Sequence, residues 1–289
     1  MPAVGDDELR EVRARFLAAT NGIDAALGAN GIDRVRAELE ERDAALVAAA
    51  DDEYVLWFEA DLYDQLQIAQ ILERLARLSV EPERITLVSI GEHVGFARFG
   101  GLGELDGRQL AALPARAGVP LTPEATELAR WAWAALCATD PRGLAAIVAA
   151  RSPVLRFLPE AFDRLSREYP STRDGLSLTE RRLLAAVADG AARAGEAFVR
   201  GAAREVRPFL GDSWAYAAID RLARAETPLL DVARPVGRTA AVSITDAGRA
   251  VLAADADHVE LNGIDRWIGG VHLQGRDIPR FDEGTETVR

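Results

Sequence analysis

The order of apolar and polar positions divides the chain into two differently built halves. Residues 6–20 open with acids and then place Leu9, Val12, Phe16 and Leu17 at helical spacing, which predicts a helix with one apolar stripe. Residues 22–31 are a Gly/Asn-punctuated break. Residues 33–50 predict a second helix, largely solvated because Arg34, Arg36, Glu38, Glu40, Glu41, Arg42 and Asp43 crowd it. At 54–58 the pattern becomes continuously apolar, as in a parallel strand covered on both faces. In the helix predicted for 62–78, Leu62, Ile68, Ala69, Ile71, Leu72, Leu75 and Ala76 share one arc. Asp64 and Gln65 fall on or beside that arc in the first turn, so they point toward the end of the sheet. Pro82 closes the helix and residues 85–90 form a second apolar strand. Strand, helix and strand in this order fit a right-handed βαβ crossover.

Residues 96–107 read as a Gly-rich loop, 106–113 as a short helix, and 122–138 as a helix opened by Thr122-Pro123-Glu124 and carrying Trp131 and Trp133. Asp140-Pro141 caps another helix to 151, and 159–169 makes one more. Two strands apolar on both faces do not make a stable sheet alone. The expectation is therefore that another protomer completes the sheet or that strands precede Met1.

Past residue 175 the pattern changes. Ser177-Leu178-Thr179-Glu180 is a capping box for a helix to 189. Helices follow at 196–207 and 212–226, then strands at 229–234 and 239–245 around Pro235-Val236-Gly237-Arg238, and a closing helix at 246–253. Three helices and a β-hairpin in this order describe a winged helix. The tail, 258–281, has a Gly pair and apolar alternation that predict a bent hairpin. The expected fold is thus an α/β N-terminal domain (1–157) with a parallel, Rossmann-like βαβ sheet. A linker helix and loop (158–175), a mostly α winged-helix-like domain (176–256) and a β-hairpin tail (257–289) follow.

Composition narrows the chemistry. The single Cys137 cannot form an internal disulfide, and with only His93, His258 and His272 a Cys/His zinc site is close to excluded. No apolar run approaches the length of a membrane span and no leader precedes the first helix, so a cytoplasmic location without membrane contact is expected. All 34 basic residues are Arg, which with the high Ala and Gly content reflects GC-rich coding rather than phosphate binding. The net charge of −12 is uneven: residues 1–150 hold 14 Arg and 25 acids, residues 151–289 hold 20 Arg and 21 acids. The N-terminal half therefore repels nucleic acid and favours cationic or metal-bridged ligands.

Three groups of residues are candidates for function. Glu59, Asp61, Asp64, Gln65, Glu92 and His93 lie on the carboxyl edge of the two strands, where open α/β sheets place ligands. Hard divalent cations want several carboxylate oxygens, and His93 could act as base or ligand. The competing reading is that Asp61 caps the 62–78 helix and Asp64 meets its dipole. In the winged helix, Ser213, Tyr216, Arg221 and Arg224 on the third helix, with Arg234 and Arg238 on the wing, are the candidate contacts to DNA or a protein partner. Against DNA, residues 160–250 hold 14 Arg and 13 acids, little for a phosphate surface. In the tail, Asp265, Arg266, Trp267 and His272 are either a site or an internal salt bridge and aromatic packing.

Several longer motifs carry a resemblance: residues 55–66, Ser89-Ile90-Gly91-Glu92, residues 170–176, Pro208-Phe209-Leu210-Gly211-Asp212 and residues 262–273. Through them the chain, from about Leu9 to Phe281, resembles the bacterial domain of unknown function 1835 family. The resemblance implies no established activity. It does imply preceding strands, one with a Gly-Asp and one ending near His-Glu-Gly-Pro, so that this chain starts just after them at Pro2-Ala3-Val4. It also implies a His at the position of Ala60, whose loss would impair a catalytic role. The functional expectation is a ligand-sensing regulatory or interaction protein with a winged-helix module, free to oligomerise. The alternatives are a metal-assisted hydrolase or transferase on a nucleotide-like substrate, using a divalent metal, and a degenerate structural member.

Overall fold

The structure, a computed structural model, describes residues 4–20, 30–49 and 52–289. Helices α1 (Asp6–Thr20) and α2 (Asn30–Ala48) pack on each other through Ala14, Ala18 and Val35. The expected break between them falls almost wholly outside the described residues. Strand β1 (Tyr54–Glu59) leads through Asp61 into α3 (Leu62–Arg77), and β2 (Ile85–Ile90) returns parallel to β1, with Tyr54 opposite Ile85 and Glu59 opposite Ile90. Asp43 of α2, nearly buried, holds Arg10 of α1 and Arg74 of α3 at 2.8 Å each, and so fixes the helix pair to the sheet layer.

Helix α4 (Gly107–Ala117) runs four residues past its expected end despite Pro114, and strand β3 (Gly118–Pro120) follows it directly. β3 is antiparallel to β2, with Leu87 opposite Val119, so the sheet is mixed and its order is β1-β2-β3. Helices α5 (Pro123–Cys137), α6 (Leu144–Ala149) and α7 (Leu158–Ser166) complete this half. Asp140-Pro141 starts a 3₁₀ turn before α6 rather than the helix itself.

Because side chains alternate along a strand, the two sheet faces have different covers. Tyr54, Leu56, Phe58, Ile85 and Leu87 enter the main core with Ile68, Leu72 and Leu75 of α3, Ala129 and Leu136 of α5, and Leu158 and Phe162 of α7. Trp57, Val88 and Ile90 face a smaller cluster, supplied by Leu105, Leu110 and Leu113 and by Phe96, Phe99 and Leu102 of the loop after β2.

The second half has its own core. It is built from α8 (Leu178–Ala188), opened by the expected Ser177/Glu180 capping box, α9 (Ala194–Ala202), α10 (Asp212–Arg224), the antiparallel pair β4 (Leu230–Val232) and β5 (Val242–Ile244), and α11 (Asp246–Leu252). Leu184, Ile219, Leu222, Leu229, Leu230 and Val251 are fully buried in it. The two strands are shorter than expected, three residues each.

The tail forms α12 (His258–Asn262), the hairpin β6 (Ile264–Ile268) and β7 (Val271–Gly275), and the short pair β8 (Phe281–Asp282) and β9 (Thr287–Val288). Ile268, Val271, Leu273, Phe281 and Val288 return to the main core of the first half. Glycine is required at the β6–β7 turn: the Gly270 N–H donates to the Leu136 carbonyl at 2.7 Å, and a Cβ on Gly270 would lie 2.0 Å from the Cys137 carbonyl oxygen. Arg266 joins all three parts, donating to the Glu180 carboxylate of α8 at 3.0 Å and to the Glu168 carbonyl after α7 at 2.6 Å. Among the described residues no helix is long and apolar enough to cross a membrane.

Candidate functional site

The β1–α3 junction gathers three carboxylates. Ligand atoms of Glu59, Asp61 and Asp64 all lie within 4.8 Å of one another, a spacing that could hold a metal ion. Each carboxylate already has a main-chain partner. Asp61 is the N-cap of α3, accepting the Asp64 N–H at 3.1 Å. Asp64 accepts the Glu59 N–H at 2.5 Å, and Glu59 accepts the Leu102 N–H at 2.6 Å. Gln65, fully buried, donates to the Glu59 carbonyl at 2.7 Å and to Ser89 Oγ at 3.2 Å. Asp64 and Gln65 thus satisfy both main-chain groups of the last residue of β1, which explains why two polar residues sit on the apolar side of the helix.

No arginine pairs with these carboxylates among the described residues. Burial pushes Asp61 up to about 6, against the lowering bond from the Asp64 N–H and with the charges of Asp64 and Glu59 adding to the rise. Burial also raises Glu59, opposed by the Leu102 N–H. Glu59 fits because Gly101, at φ +144, has no side chain: a Cβ there would lie 2.3 Å from a Glu59 oxygen. The other two expected members stand apart. Glu92 is exposed and outside the three-carboxylate group. His93 is half-buried, with Nδ1 3.0 Å from the Val94 carbonyl oxygen and its ring against Phe96 and Phe99.

The loop that receives Glu59 also grips the second half of the chain. Arg98 donates to the carbonyls of Ala202, Ala203 and Glu205 at 3.0, 3.3 and 2.9 Å, capping the C-terminal end of α9. Arg207 donates to the Gly91 carbonyl at 3.0 Å and stacks over Phe157 at 4.6 Å. Deeper, Arg164 of α7 holds Glu205 at 2.8 Å. Nothing in the sequence marks Arg98 or Arg207 for these contacts; the Gly100-Gly101-Leu102-Gly103 run is the only local sign of a close approach.

In the helical half, α10 and the turn between β4 and β5 flank an open groove of about 620 Å³. Ser213, Tyr216, Ala217, Asp220 and Arg224 line it from α10, with Arg234, Pro235 and Val236 opposite. The fold therefore brings together four of the six expected contact residues. Asp220 joins the two walls, accepting from Arg224 Nε at 2.6 Å and meeting Arg234 at 3.0 Å. Arg221 points elsewhere, 4.0 Å from Glu180, and Arg238 is exposed beside the N-terminus of α9, where its carbonyl accepts the Gly195 N–H.

In the tail, Asp265, Trp267 and His272 lie together on the β6–β7 hairpin. Trp267 and His272 are cross-strand partners with rings stacked 4.5 Å apart at 5°, and His272 Nε2 lies 2.8 Å from Asp265 Oδ1. Arg266 faces inward to Glu180. The buried Glu180 carboxyl, which burial alone would raise, is held down at about 2 by Arg266, Arg221 and His258. Burial in turn lowers His258, whose Nδ1 lies 3.1 Å from Asn262 Nδ2. Cys137 is buried, and burial pushes its thiol up to about 11, as an inert core cysteine requires. Compared with known proteins, the chain matches no protein-family model, no curated protein and no solved structure.

Proposed function

We propose that the chain is a cytoplasmic regulatory or interaction protein of the domain of unknown function 1835 type. Its α8–α9–α10–β4–β5 unit serves as a winged-helix-like module that docks a protein partner, and its Rossmann-like sheet edge senses a small cationic or metal-bridged ligand. The observation that carries the reading is the α10 groove, an open surface with one wall from the helix and one from the hairpin turn. Asp220 neutralises part of Arg224 and Arg234, and the near balance of charge over 160–250 favours a protein over a phosphate backbone. The sensing part rests on the loop after β2. A ligand that drew Glu59 away from the Leu102 N–H would move the loop from which Arg98 holds the end of α9.

The test is a fluorescence-anisotropy titration of the full chain with random and genomic duplex DNA at low and at physiological ionic strength. The expected result is weak binding without sequence preference that disappears by about 0.15 M salt. Sequence-selective binding that persists there and falls in Arg234→Ala would overturn it.

The three-carboxylate group supports the second reading, a metal-assisted hydrolase or transferase, since its oxygens converge within 4.8 Å. Each of the three already accepts a main-chain N–H, so capping accounts for them without a metal. Hydrolysis or group transfer on a nucleotide that requires Mn²⁺ or Mg²⁺ and is lost in Asp61→Asn would favour the enzyme reading.

A further inference from the structure

The outer side of β1 is a second surface with unmet bonding capacity. Among the described residues β1 is the edge of its sheet. The N–H and C=O of Glu59 are bonded by Asp64 and Gln65 rather than by β2. Main-chain groups alternate in direction along a strand, so those of Val55 and Trp57 turn away from β2 as well. At Val55 and Trp57 the outward N–H and C=O form no hydrogen bond among the described residues. The Val55 side chain is 49% exposed, and the cluster covering this sheet face reaches only as far as Trp57. Edge strands that face solvent are usually guarded by a Lys, a Pro, a bulge or an inward charge. Tyr54-Val55-Leu56-Trp57-Phe58 has none of these.

We propose that this edge accepts an extended segment of a partner protein as an added strand, with a basic side chain at the end that reaches Glu59 and Asp61. Charge selects the occupant. The three carboxylates at the end of β1 lack an arginine, and the half of the chain around them holds 25 acids against 14 Arg. A second copy pairing antiparallel would set its Glu59 end against Asp52 and Glu53, like charges on like charges. A basic strand meets no such penalty. Main-chain bonds at Val55 and Trp57 would supply affinity, and the acidic end would supply direction and selectivity. This surface is separate from the α10 groove and does not depend on what that groove binds. It shares Glu59 and Asp61 with the ligand-sensing edge, where the basic side chain of the added strand is the cationic group.

The experiment uses the full chain and a short fluorescent peptide of alternating valine and threonine carrying two arginines at one end, made in both orders. Two controls accompany it: the same peptide with glutamates in place of the arginines, and one with alternate amides N-methylated. One order of the arginine peptide is expected to bind saturably and to slow amide exchange at Val55 and Trp57 about tenfold or more. Each control is expected to bind about tenfold more weakly or worse. Val55→Glu, at an exposed position, should weaken binding without unfolding the chain. No binding, or equal binding by a control, overturns the proposal. So do Val55 and Trp57 amides already protected in the free monomer, which would mean another part of the chain covers the edge. Protection that grows with self-association would assign the edge to a second copy instead. None of these outcomes alters the DNA titration, so the two readings fail separately.

Discussion

The main-chain N–H of Glu59 donates to the carboxylate of Asp64, five residues on, at 2.5 Å. With Gln65 on the Glu59 carbonyl, this makes the first turn of α3 stand in for a neighbouring strand at the end of β1. The same two side chains that suggest a ligand site from the sequence therefore have a structural task.

That task has a measurable cost. Asp64→Ala should lower stability by about 1–2 kcal/mol, because an N–H at the strand end loses its acceptor and the helix loses a first-turn acid. Asp64→Asn keeps an acceptor and should recover about half of that. Gln65→Leu leaves the Glu59 carbonyl without its donor in a buried place and should cost about 1–3 kcal/mol. Urea midpoints of the three variants check these values; a silent Asp64→Ala would remove the capping account.

Asp61 sets a pH dependence opposite in sign to that of a salt-bridged carboxylate. Its folded pKa, about 6 from burial, lies above the usual aspartate value, so the folded state binds more protons than the unfolded state between roughly pH 4 and 6. Its contribution favours folding at the lower pH and is lost as pH rises through about 6. Asparagine caps as well as aspartate without the charge. Asp61→Asn should therefore gain stability relative to the native chain at pH 7 and lose that advantage near pH 4.5, as read from urea midpoints at the two pH values.

Glu180 behaves in the opposite way. Arg266 and Arg221 hold it down at about 2 despite full burial, so its contribution is present above the unfolded carboxylate value and is lost as pH falls toward 2. Removing one partner of this buried pair, by Glu180→Ala or Arg266→Ala, should cost about 3–5 kcal/mol. The double variant should cost much less than the sum, since it leaves no unpaired charge. An additive pair would show that Arg266 does not tie the hairpin to α8 through Glu180.

Arg98→Ala tests the link between the sheet edge and the helical half. Its side chain is exposed and contributes to the end of α9, so the global unfolding free energy from urea titration should move by less than about 0.5 kcal/mol. Amide exchange in residues 91–105 and at the end of α9 should quicken severalfold. Faster exchange at only one of the two places would break the proposed coupling.

The sequence already shows β1, α3 and β2, because a continuous apolar run and a helical stripe are strong periodic signals. The Ser177 capping box, the helix order of the second half and the tail hairpin are legible for similar local reasons. β3 is not: Gly118-Val119-Pro120 has three residues, two of which normally signal a turn, and only its pairing with Leu87 makes it a strand. Phe281 and Val288 are isolated apolar residues in a charged tail, so no periodicity reveals that they join the first core. At the candidate site, Asp61 and Asp64 are legible as caps, and Asp64 and Gln65 as polar groups aimed at the sheet. The partner of the Glu59 carboxylate at Leu102, along with Gly101 and Arg98, depends on a loop whose path is set by contacts more than forty residues apart.

The DNA titration bears most directly on the central claim that the helical half docks a protein rather than a nucleic acid. Full-length chain is mixed with random and genomic duplexes at low and at about 0.15 M salt. The account expects at most weak, sequence-indifferent binding that vanishes at the higher salt. Sequence-selective binding that survives there, and is lost in Arg224→Ala and Arg234→Ala, would contradict it and make the α10 groove a DNA-reading surface.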